Sequence, residues 1–262
     1  MRYFVFIMST LAERHQLILL RLKEEGNVNV LELCRDLKVS SVTIRKDLKL
    51  LEDKNLLFRT HGGATAGNPY TSDRHVSEKE KLHADEKTEI GAVAAELIEP
   101  NDCVIIGSGT TVLSLARNIK PKGNLTVITA ALNVATELNQ HPEIEVLVLG
   151  GMLRKSSSSA TGVYAERALD DFACSKLFIG VDGIDLEFGL TTTHVEEARL
   201  NRKMMATAQK TIVLADSSKF GRRGFGRICA LDEIVQIITD SGISDHMRKS
   251  LMDMGIEVTI VA

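Results

Sequence analysis

Small and hydroxyl-bearing residues follow a short apolar run at Gly107, Ser108, Gly109, Thr110 and Thr111. Glycines let a ligand approach the backbone closely, and hydroxyl and N–H groups at the start of a helix donate hydrogen bonds to phosphate oxygens. Such a loop is typical of a phosphate site, and it is also found at ordinary strand-to-helix turns. A chain with a phosphate site either transforms a phosphorylated metabolite or only senses one.

Small or polar residues also follow four other apolar runs. Thr129 ends the second run, Gly151 follows the third, Asp182 the fourth, and Lys219 comes shortly after the fifth. Carboxylates accept hydrogen bonds from sugar hydroxyls, and a lysine pairs with phosphate. Together with the loop at 107–111, these residues predict a site for a phosphorylated sugar or polyol.

The elements that would hold these residues are predicted to be buried strands separated by helices. The strands are rich in Val and Ile and hardly alternate with polar residues, as expected when both faces of a sheet are covered. They lie at 103–107, 125–129, 145–150, 176–180, 211–215, 234–239 and 257–261, and helical patterns lie at 87–98, 111–118, 132–140, 163–170, 195–208 and 244–254. This alternation predicts a mostly parallel α/β sheet, in which ligands bind beyond the carboxyl ends of the strands.

Three further helices are predicted near the start of the chain, at 10–25, 30–37 and about 41–54. Ser40 or Ser41 is suited to cap the third, whose apolar face packs on the first two and leaves basic side chains outside. A helix-turn-helix presents its second helix to the DNA major groove in this way. The predicted DNA contacts on this helix are Ser40, Ser41, Val42, Thr43, Arg45, Lys46 and Lys49.

A predicted wing follows, because strand-like residues flank a turn at Gly62 and Gly63. Arg59 and His61 at its edge are predicted to contact phosphate or the minor groove. Asp47 lies within the basic helix, where DNA phosphates would repel its carboxylate. We predict that it holds a neighbouring arginine or the helix end in place and does not read DNA.

Charge is divided unevenly along the chain, whose net charge is −3. Residues 8–67 carry ten Lys or Arg against eight Asp or Glu, and residues 68–262 carry 21 against 27. A small basic unit is thus joined to a larger acidic one. The four cysteines form no C-x-x-C pair, so we predict free thiols in the cytoplasm, no metal and no cofactor. No run approaches the ~20 apolar residues of a membrane span.

These patterns predict a winged helix-turn-helix at 8–67, a linker at 68–86 and an α/β domain at 87–262. The charged run at 66–88 is rich in Gly, Pro and Ser and lacks apolar periodicity, so it is interpreted as a linker or as the start of a solvated helix. The apolar run at 1–7 is too short for a signal peptide, and we expect translation to begin at Met8. One short recognition helix reads few bases, so a homo-oligomer, a dimer or a tetramer, is expected on double-stranded operator DNA.

The chain resembles the DeoR family of bacterial transcriptional regulators over nearly its whole length. The resemblance is carried first by Arg14, Ile18, Leu22, Ser40 and the runs 43–48 and 59–64, and then by SGTT at 108–111, VIT at 127–129, GG at 150–151, LFIGVDGID at 177–185, GLTT at 189–192, EEA at 196–198 and LADSSKFG at 214–221. It implies an effector domain related in fold to ribose-5-phosphate isomerase and glucosamine-6-phosphate deaminase. It also implies an operator-binding protein, usually a repressor of a sugar or polyol catabolic operon, with a phosphorylated sugar or its catabolic intermediate as effector. Glu197 joins the predicted effector site on this basis.

An isomerase fused to a DNA-binding domain is the alternative. The run from Asp182 to Asp185 is similar to the Asp-Gly-Ala-Asp motif of the isomerases, and Glu196 or Glu197 is the candidate base. The isomerases follow this motif with a Lys-Gly-Gly-Gly turn, whereas residues 186–190 read LEFGL. Because the cation that would hold an enediolate is missing, we favour a sensor over an enzyme.

Two positions depart from the family pattern. Gly107 stands where Asp is common, and Ala130 stands where Asn is common, followed by Ala131 where Ser is frequent. Both changes remove polar groups from the predicted site. We expect an effector that is less hydroxylated or bulkier than usual for the family, or else a degenerate site.

Overall fold

A computed structural model of the chain describes residues 10–54, 56–60, 62–65, 75–121 and 123–261. Its contacts fall into two units, Met1–Ser72 and Asp73–Ala262. None of the described helices is long and apolar enough to cross a membrane.

The described residues of the first unit form three helices and a three-stranded antiparallel sheet. The elements are α1 (Leu11–Glu25), β1 (Asn27–Asn29), α2 (Val30–Leu37), α3 (Ser41–Asp53), β2 (Phe58–Thr60) and β3 (Gly63–Thr65), with the strands in the order β1-β3-β2. The predicted helices and wing strands are confirmed. The strand β1 was not predicted, because three residues reading Asn-Val-Asn are too few to show an alternating pattern.

The helix ends are fixed by residues close in sequence. At the start of α1, Glu13 N donates to Thr10 Oγ1 at 3.3 Å and Thr10 N donates to Glu13 Oε2 at 2.8 Å, which is a reciprocal capping box. Gly26 ends α1 with a φ of 75°, a conformation that glycine adopts readily. Thr43 N donates to Ser40 Oγ at 3.2 Å at the start of α3. Local chemistry therefore sets where α1 stops and where α3 begins.

One apolar cluster joins the helices of the first unit to its sheet. Its buried members are Ile18, Leu22, Val28, Val30, Leu33, Ile44, Leu48, Leu51, Leu57 and Ala64. Ile44, Leu48 and Leu51 recur at helical spacing on one side of α3. Because that side faces the cluster, the charged residues on the other side of α3 face solvent.

The second unit is built on a seven-stranded sheet. The strands described in the second unit, which form this large sheet and two smaller ones, are β4 (Cys103–Ile106), β5 (Leu125–Thr129), β6 (Ile144–Val148), β7 (Met152–Arg154), β8 (Ser159–Thr161), β9 (Cys174–Gly180), β10 (Gly183–Asp185), β11 (Gly189–Thr192), β12 (Ala208–Leu214), β13 (Gly226–Cys229), β14 (Gln236–Asp240) and β15 (Glu257–Val261). The large sheet has the order β15-β14-β12-β9-β4-β5-β6, and every pairing in it is parallel. All seven predicted strands belong to it, which confirms the mostly parallel α/β class.

Helices and apolar clusters cover both faces of this sheet. The helices are α4 (Val76–Glu80), α5 (Ala84–Ala95), α6 (Thr110–Asn118), α7 (Leu132–Leu138), α8 (Val163–Ala168), α9 (Val195–Thr207) and α10 (Asp245–Asp253). Neighbouring residues of β4 enter different clusters: Ile105 packs in one, and Val104 and Ile106 pack in the other. Since successive side chains point to opposite faces and both faces are buried, the strand is apolar throughout.

The second unit begins earlier in the chain than predicted. Helix α4 and the start of α5 fall within 68–86, which the sequence assigned to the linker. Val76 is buried, and its N–H donates to Ser156 O at 2.6 Å. Arg117 Nη1 on α6 lies 2.7 Å from Glu80 Oε1. The charged run therefore contains a packed helix, whose partners are too distant in sequence to reveal it.

A hairpin of β7 and β8 lies beside the end of β5. Ala160 N donates to Ala130 O at 2.8 Å, and Leu132 N donates to Ser158 O at 2.9 Å. These bonds fix the second strand of the hairpin and its turn to the loop after β5. A separate small sheet has the order β10-β11-β13. The sequence predicted neither structure.

Candidate DNA-binding helix and effector site

The outward side of α3 carries the predicted DNA contacts. Ser40, Val42, Arg45, Lys46 and Lys49 are exposed, and Ser41 and Thr43 are half-buried. Ser40 Oγ accepts from Thr43 N and lies 2.9 Å from Thr43 Oγ1, so these two side chains also order the start of the helix. Three cations and the methyl groups of Val42 are thus free to face a nucleic acid. Such a surface suits phosphates and base edges.

Asp47 differs from the other charged residues around the start of this helix because its side chain is buried. Its side chain is 2% exposed, and Arg14 reaches it from α1, with Nε 2.6 Å from Oδ2 and Nη2 3.0 Å from Oδ1. The two parallel contacts form a bidentate pair, which fixes geometry as well as charge. The carboxylate therefore holds an arginine between α1 and α3, as the sequence analysis predicted.

The wing is fastened to α3 through Glu52. Arg59 N donates to Glu52 Oε1 at 2.9 Å, and Arg59 Nη1 lies 3.8 Å from Glu52 Oε2. The Arg59 side chain is 38% exposed and faces solvent at the edge of β2. His61, the other predicted wing contact, lies outside the described residues.

At the carboxyl edge of the parallel sheet, the loop at 107–111 connects β4 to α6. Gly109 has a φ of 121°, which only glycine adopts readily, and the helix begins at Thr110. Ser108 Oγ donates to Glu197 Oε1 on α9 at 2.7 Å. Thr111 is buried in the first turn of the helix. The loop therefore has the strand–turn–helix geometry that the sequence predicted.

Glu197 connects this loop to two other segments. Arg154 Nη1 on the hairpin donates to Glu197 Oε2, and Arg154 Nη2 donates to Thr193 Oγ1 at 3.2 Å. Thr192 Oγ1 lies 3.3 Å from Glu197 Oε2 and 3.1 Å from Asp182 Oδ2. Two predicted effector residues, Glu197 and Asp182, are therefore neighbours through one threonine.

Asp182, after β9, is the most strongly perturbed carboxylate of this edge. Burial alone would raise its pKa, but Lys79, Lys219 and the N–H of Thr193 favour the charged form more strongly and lower the pKa to about 2. Lys79 Nζ on α4 donates to Asp182 Oδ1 at 2.8 Å, and Thr193 N donates to Oδ2 at 3.2 Å. The Asp182 carboxylate is thus ionised at neutral pH, in contact with Lys79 and within the field of Lys219.

Two lysines complete the edge. Burial lowers the pKa of Lys219, an effect opposed by the charges of Asp216 and Asp182. Burial also lowers the pKa of Lys87, which is 5% exposed and donates to the carbonyl oxygens of Lys79, at 2.6 Å, and Leu82. Lys219 is half-buried, and its charge is therefore only partly screened by water and attracts an anion.

Two predicted effector residues, Thr129 and Gly151, have structural roles in the fold. Thr129 is 0% exposed, and its Oγ1 accepts from Ala131 N at 3.1 Å, so its hydroxyl is enclosed by the protein. Gly151 has a φ of 146°, and a Cβ there would lie 2.5 Å from Thr161 O, so glycine permits the hairpin to fold. The sequence placed both residues correctly at the sheet edge, but their side-chain surroundings depend on β8.

Gly107 and Ala130, the two departures from the family pattern, lie in tightly packed backbone. A Cβ at Gly107 would lie 3.3 Å from Phe178 O and 3.6 Å from Ile179 Cα on β9. Ala130 is 1% exposed. A larger side chain at either position would require its neighbours to move.

Asp185 does not join Asp182 in a paired-carboxylate site. Arg223 Nε lies 2.8 Å from Asp185 Oδ2, and the N–H groups of Glu187 and Phe188 donate to Oδ1 at 3.0 and 2.8 Å. These partners lower the pKa of Asp185 against the raising effect of burial. Within the described part of the chain, no group of three or more His, Cys, Asp or Glu side chains could hold a metal.

Three residues of the edge were not singled out by the sequence analysis, namely Lys79, Lys87 and Arg154. Lys79 lies in the segment assigned to the linker, and Lys87 is the first residue of the predicted α/β domain, at the end of the same charged run. Arg154 follows Gly151 by three residues, a spacing that could have drawn attention to it. Their partners lie up to 103 residues away, so only the fold reveals the contacts.

Comparison with known proteins decides the family. The chain matches the DeoR C terminal sensor domain over residues 82–241 and the DeoR-like helix-turn-helix domain over residues 14–69. The chain belongs to the DeoR family. Members of this family related to it are transcriptional regulators, and the protein is a DNA-binding regulator and not an enzyme.

Two relatives and one solved structure illustrate the extent of the similarity. A candidate transcriptional repressor of the aga operon from Escherichia coli O157:H7 is 38% identical over 252 residues, covering 95% of this chain and 94% of the relative. The transcriptional repressor GlcR of Bacillus subtilis strain 168 is 37% identical over 248 residues, covering 95% of each chain. Among solved structures, ribose 5-phosphate isomerase A from Neisseria gonorrhoeae is 16% identical with a TM-score of 0.39, covering 57% of each chain.

Proposed function

We propose that this DeoR-family regulator represses a sugar or polyol catabolic operon in the cytoplasm and is released from its operator by a phosphorylated sugar-type metabolite. The repressor names of its relatives support the direction of control. The observation that carries the effector class is the charge at the carboxyl edge of the sheet.

That edge combines several cations with a phosphate-type loop. Lys79, Lys87, Lys219 and Arg154 lie among four carboxylates, those of Asp182, Asp216, Glu197 and Asp240. The lysines favour an anion, and the N-terminus of α6 adds its own partial positive charge. Asp182 stays ionised and is suited to accept hydrogen bonds from ligand hydroxyls. A phosphorylated polyol offers both partners.

The DNA-bound form is proposed to be a homo-oligomer, a dimer or a tetramer, on a repeated operator. Each copy would place α3 in a major groove, with Arg45, Lys46 and Lys49 at its exposed side. Effector binding would favour an arrangement of the sensor units that holds the operator less well. Its effect is limited to the difference in effector affinity between the two arrangements.

The effector class is tested by the melting temperature of the full chain. Ribose 5-phosphate and a panel of other sugar phosphates are added, each beside the same sugar without phosphate. We expect the melting temperature to rise with one or more phosphorylated compounds and to stay unchanged with their free sugars, because only a ligand of the folded state stabilises it. The absence of a rise with every phosphorylated compound would reject the proposal.

The DNA surface is tested by gel shift with the full chain. Arg45→Ala and Lys46→Ala are each expected to weaken operator binding about tenfold or more at moderate salt, since each removes a phosphate or base contact of ~1–3 kcal/mol. Lys23→Ala, which removes an exposed cation from α1, is the matched control. Unchanged binding by both α3 variants would show that α3 does not dock as proposed.

A further inference from the structure

Arg154 occupies a position at the effector site that its own hairpin dictates. The hairpin is held to the loop after β5 by the bonds of Ala160 and Leu132, and Gly151 permits its close packing against Thr161. From this support Arg154 reaches Glu197 and Thr193 with a side chain that is 11% exposed. The guanidinium is therefore presented by a rigid element, already in contact with its partners.

The carboxylate that Arg154 contacts lies directly against the phosphate-type loop. Ser108 Oγ donates to Glu197 Oε1 at 2.7 Å, and the Glu197 side chain is 10% exposed. A negative charge at this distance from the loop, with little water to screen it, would repel a phosphate bound there. The loop can take an anion only when this charge is compensated.

We infer that Arg154 is a positioning residue of the effector site, whose task is to neutralise Glu197 so that the loop at 107–111 accepts a phosphate. This inference rests on the proposed function of that site. Glu197 in turn orients the hydroxyl of Ser108. The Arg154–Glu197 pair thus supplies the hydrogen-bond acceptor that holds the loop without leaving a net negative charge beside it.

A different role for Arg154 would be direct binding of the phosphate, since arginine forms bidentate contacts with phosphate oxygens. The two roles give opposite results in a double-mutant cycle. When Arg154 acts through Glu197, removing the charge of Glu197 makes Arg154 dispensable. When Arg154 binds the phosphate itself, its removal weakens binding with or without that charge.

The test is titration of the full chain with inorganic phosphate and with the sugar phosphate that raises its melting temperature most. We expect Arg154→Ala to weaken binding of both at least tenfold. In the presence of Glu197→Gln, the same substitution is expected to weaken binding less than threefold. Lys155→Ala, which removes an exposed cation from the same hairpin, is the matched control and is expected to stay within twofold of the unmodified protein.

Each outcome has a defined meaning. Equal losses from Arg154→Ala with and without Glu197→Gln would overturn the inference, and so would unchanged binding by Arg154→Ala. Arg154→Gln, which keeps a hydrogen-bonding group without the charge, gives the same comparison if Arg154→Ala is recovered unfolded. If the unmodified protein binds neither inorganic phosphate nor any sugar phosphate, the proposed function itself fails, and the inference fails with it.

Discussion

At the scale of single residues, the ion pairs of the first unit differ in how deeply they are buried. Arg14 and Asp47 are 12% and 2% exposed, whereas the pairs of Arg21 with Glu25 and Asp36 are 30% to 49% exposed. A buried charge that loses its partner is costly, while an exposed pair is screened by water. Loss of one partner is therefore expected to cost more stability at the Arg14–Asp47 pair than at the pairs of Arg21.

Arg14→Ala is expected to destabilise the first unit by about 3 kcal/mol, because it leaves the Asp47 carboxylate buried without its bidentate partner. Arg21→Ala, on the same helix, is expected to cost about 0.5 kcal/mol or less. Hydrogen exchange of the α1 and α3 amides in the full chain measures both. Equal losses of protection in the two variants would contradict this account.

Asp182 gives a second prediction at this scale. Its pKa of about 2 lies below the ordinary value of 3.8, so the ionised form is stabilised in the folded protein by about 2 kcal/mol. This contribution is present above about pH 4 and is lost as the pH falls through about 2. Asp182→Asn is therefore expected to be less stable by that amount at neutral pH.

The measurement for Asp182 is the denaturation midpoint of both proteins as a function of pH. The difference between them is expected to shrink as the pH falls from about 4 towards 2, while titrations common to both proteins cancel. A difference that stays constant over this range would show that the Asp182 carboxylate is not stabilised by its lysine neighbours.

At the scale of elements, close backbone contact decides how the wing is built. A Cβ at Gly63 would lie 1.8 Å from Val28 O, because β3 runs directly beside β1. A Cβ at Gly62 would meet no atom within 4 Å. Two adjacent glycines that are equivalent in the sequence thus have different requirements in the fold.

Gly63→Ala is expected to separate β1 from β3 and to cost about 3 kcal/mol, since a backbone oxygen cannot move aside as a side chain does. Gly62→Ala is the matched control and is expected to change stability by less than about 0.5 kcal/mol. Hydrogen exchange at the amides of β1 and β3 reports the loss. Similar exchange in both variants would show that a Cβ at Gly63 does not disturb the pairing of β1 with β3.

At the scale of the whole molecule, the proposed function is a coupling between effector and operator. Such couplings are typically about 1–3 kcal/mol, or about 5-fold to 150-fold in affinity. Thermodynamic linkage makes the coupling reciprocal, so each ligand weakens the binding of the other by the same factor. The reciprocity holds without any assumption about how the two units move.

We therefore expect saturating operator DNA to weaken effector binding by the same factor as saturating effector weakens operator binding. Calorimetric titration of effector with and without operator, and gel shift with and without effector, supply the two factors at one salt concentration. Equal factors support a single coupled equilibrium. Unequal factors would require a further equilibrium, such as a change in oligomeric state.

The sequence located most elements of the fold because their signals are local. The β-branched runs of β4 and β5, the cap at Ser40 and the Gly-Gly wing are each readable within a few residues. The helix α4 escaped prediction because its buried residue Val76 is surrounded by charge. The hairpin of β7 and β8 escaped because strands of three residues carry little pattern.

By itself, the sequence determined the family, the two kinds of unit, the seven parallel strands and the residues that follow them at the carboxyl edge of the sheet. Only the tertiary structure decided which strands are neighbours, and hence that Lys79 meets Asp182 and that Arg154 meets Glu197. The physical reason is the distance along the chain over which each interaction acts. Caps and periodicity act over one or two turns of chain, whereas the burial and pairing of these charges depend on residues between 43 and 103 positions apart.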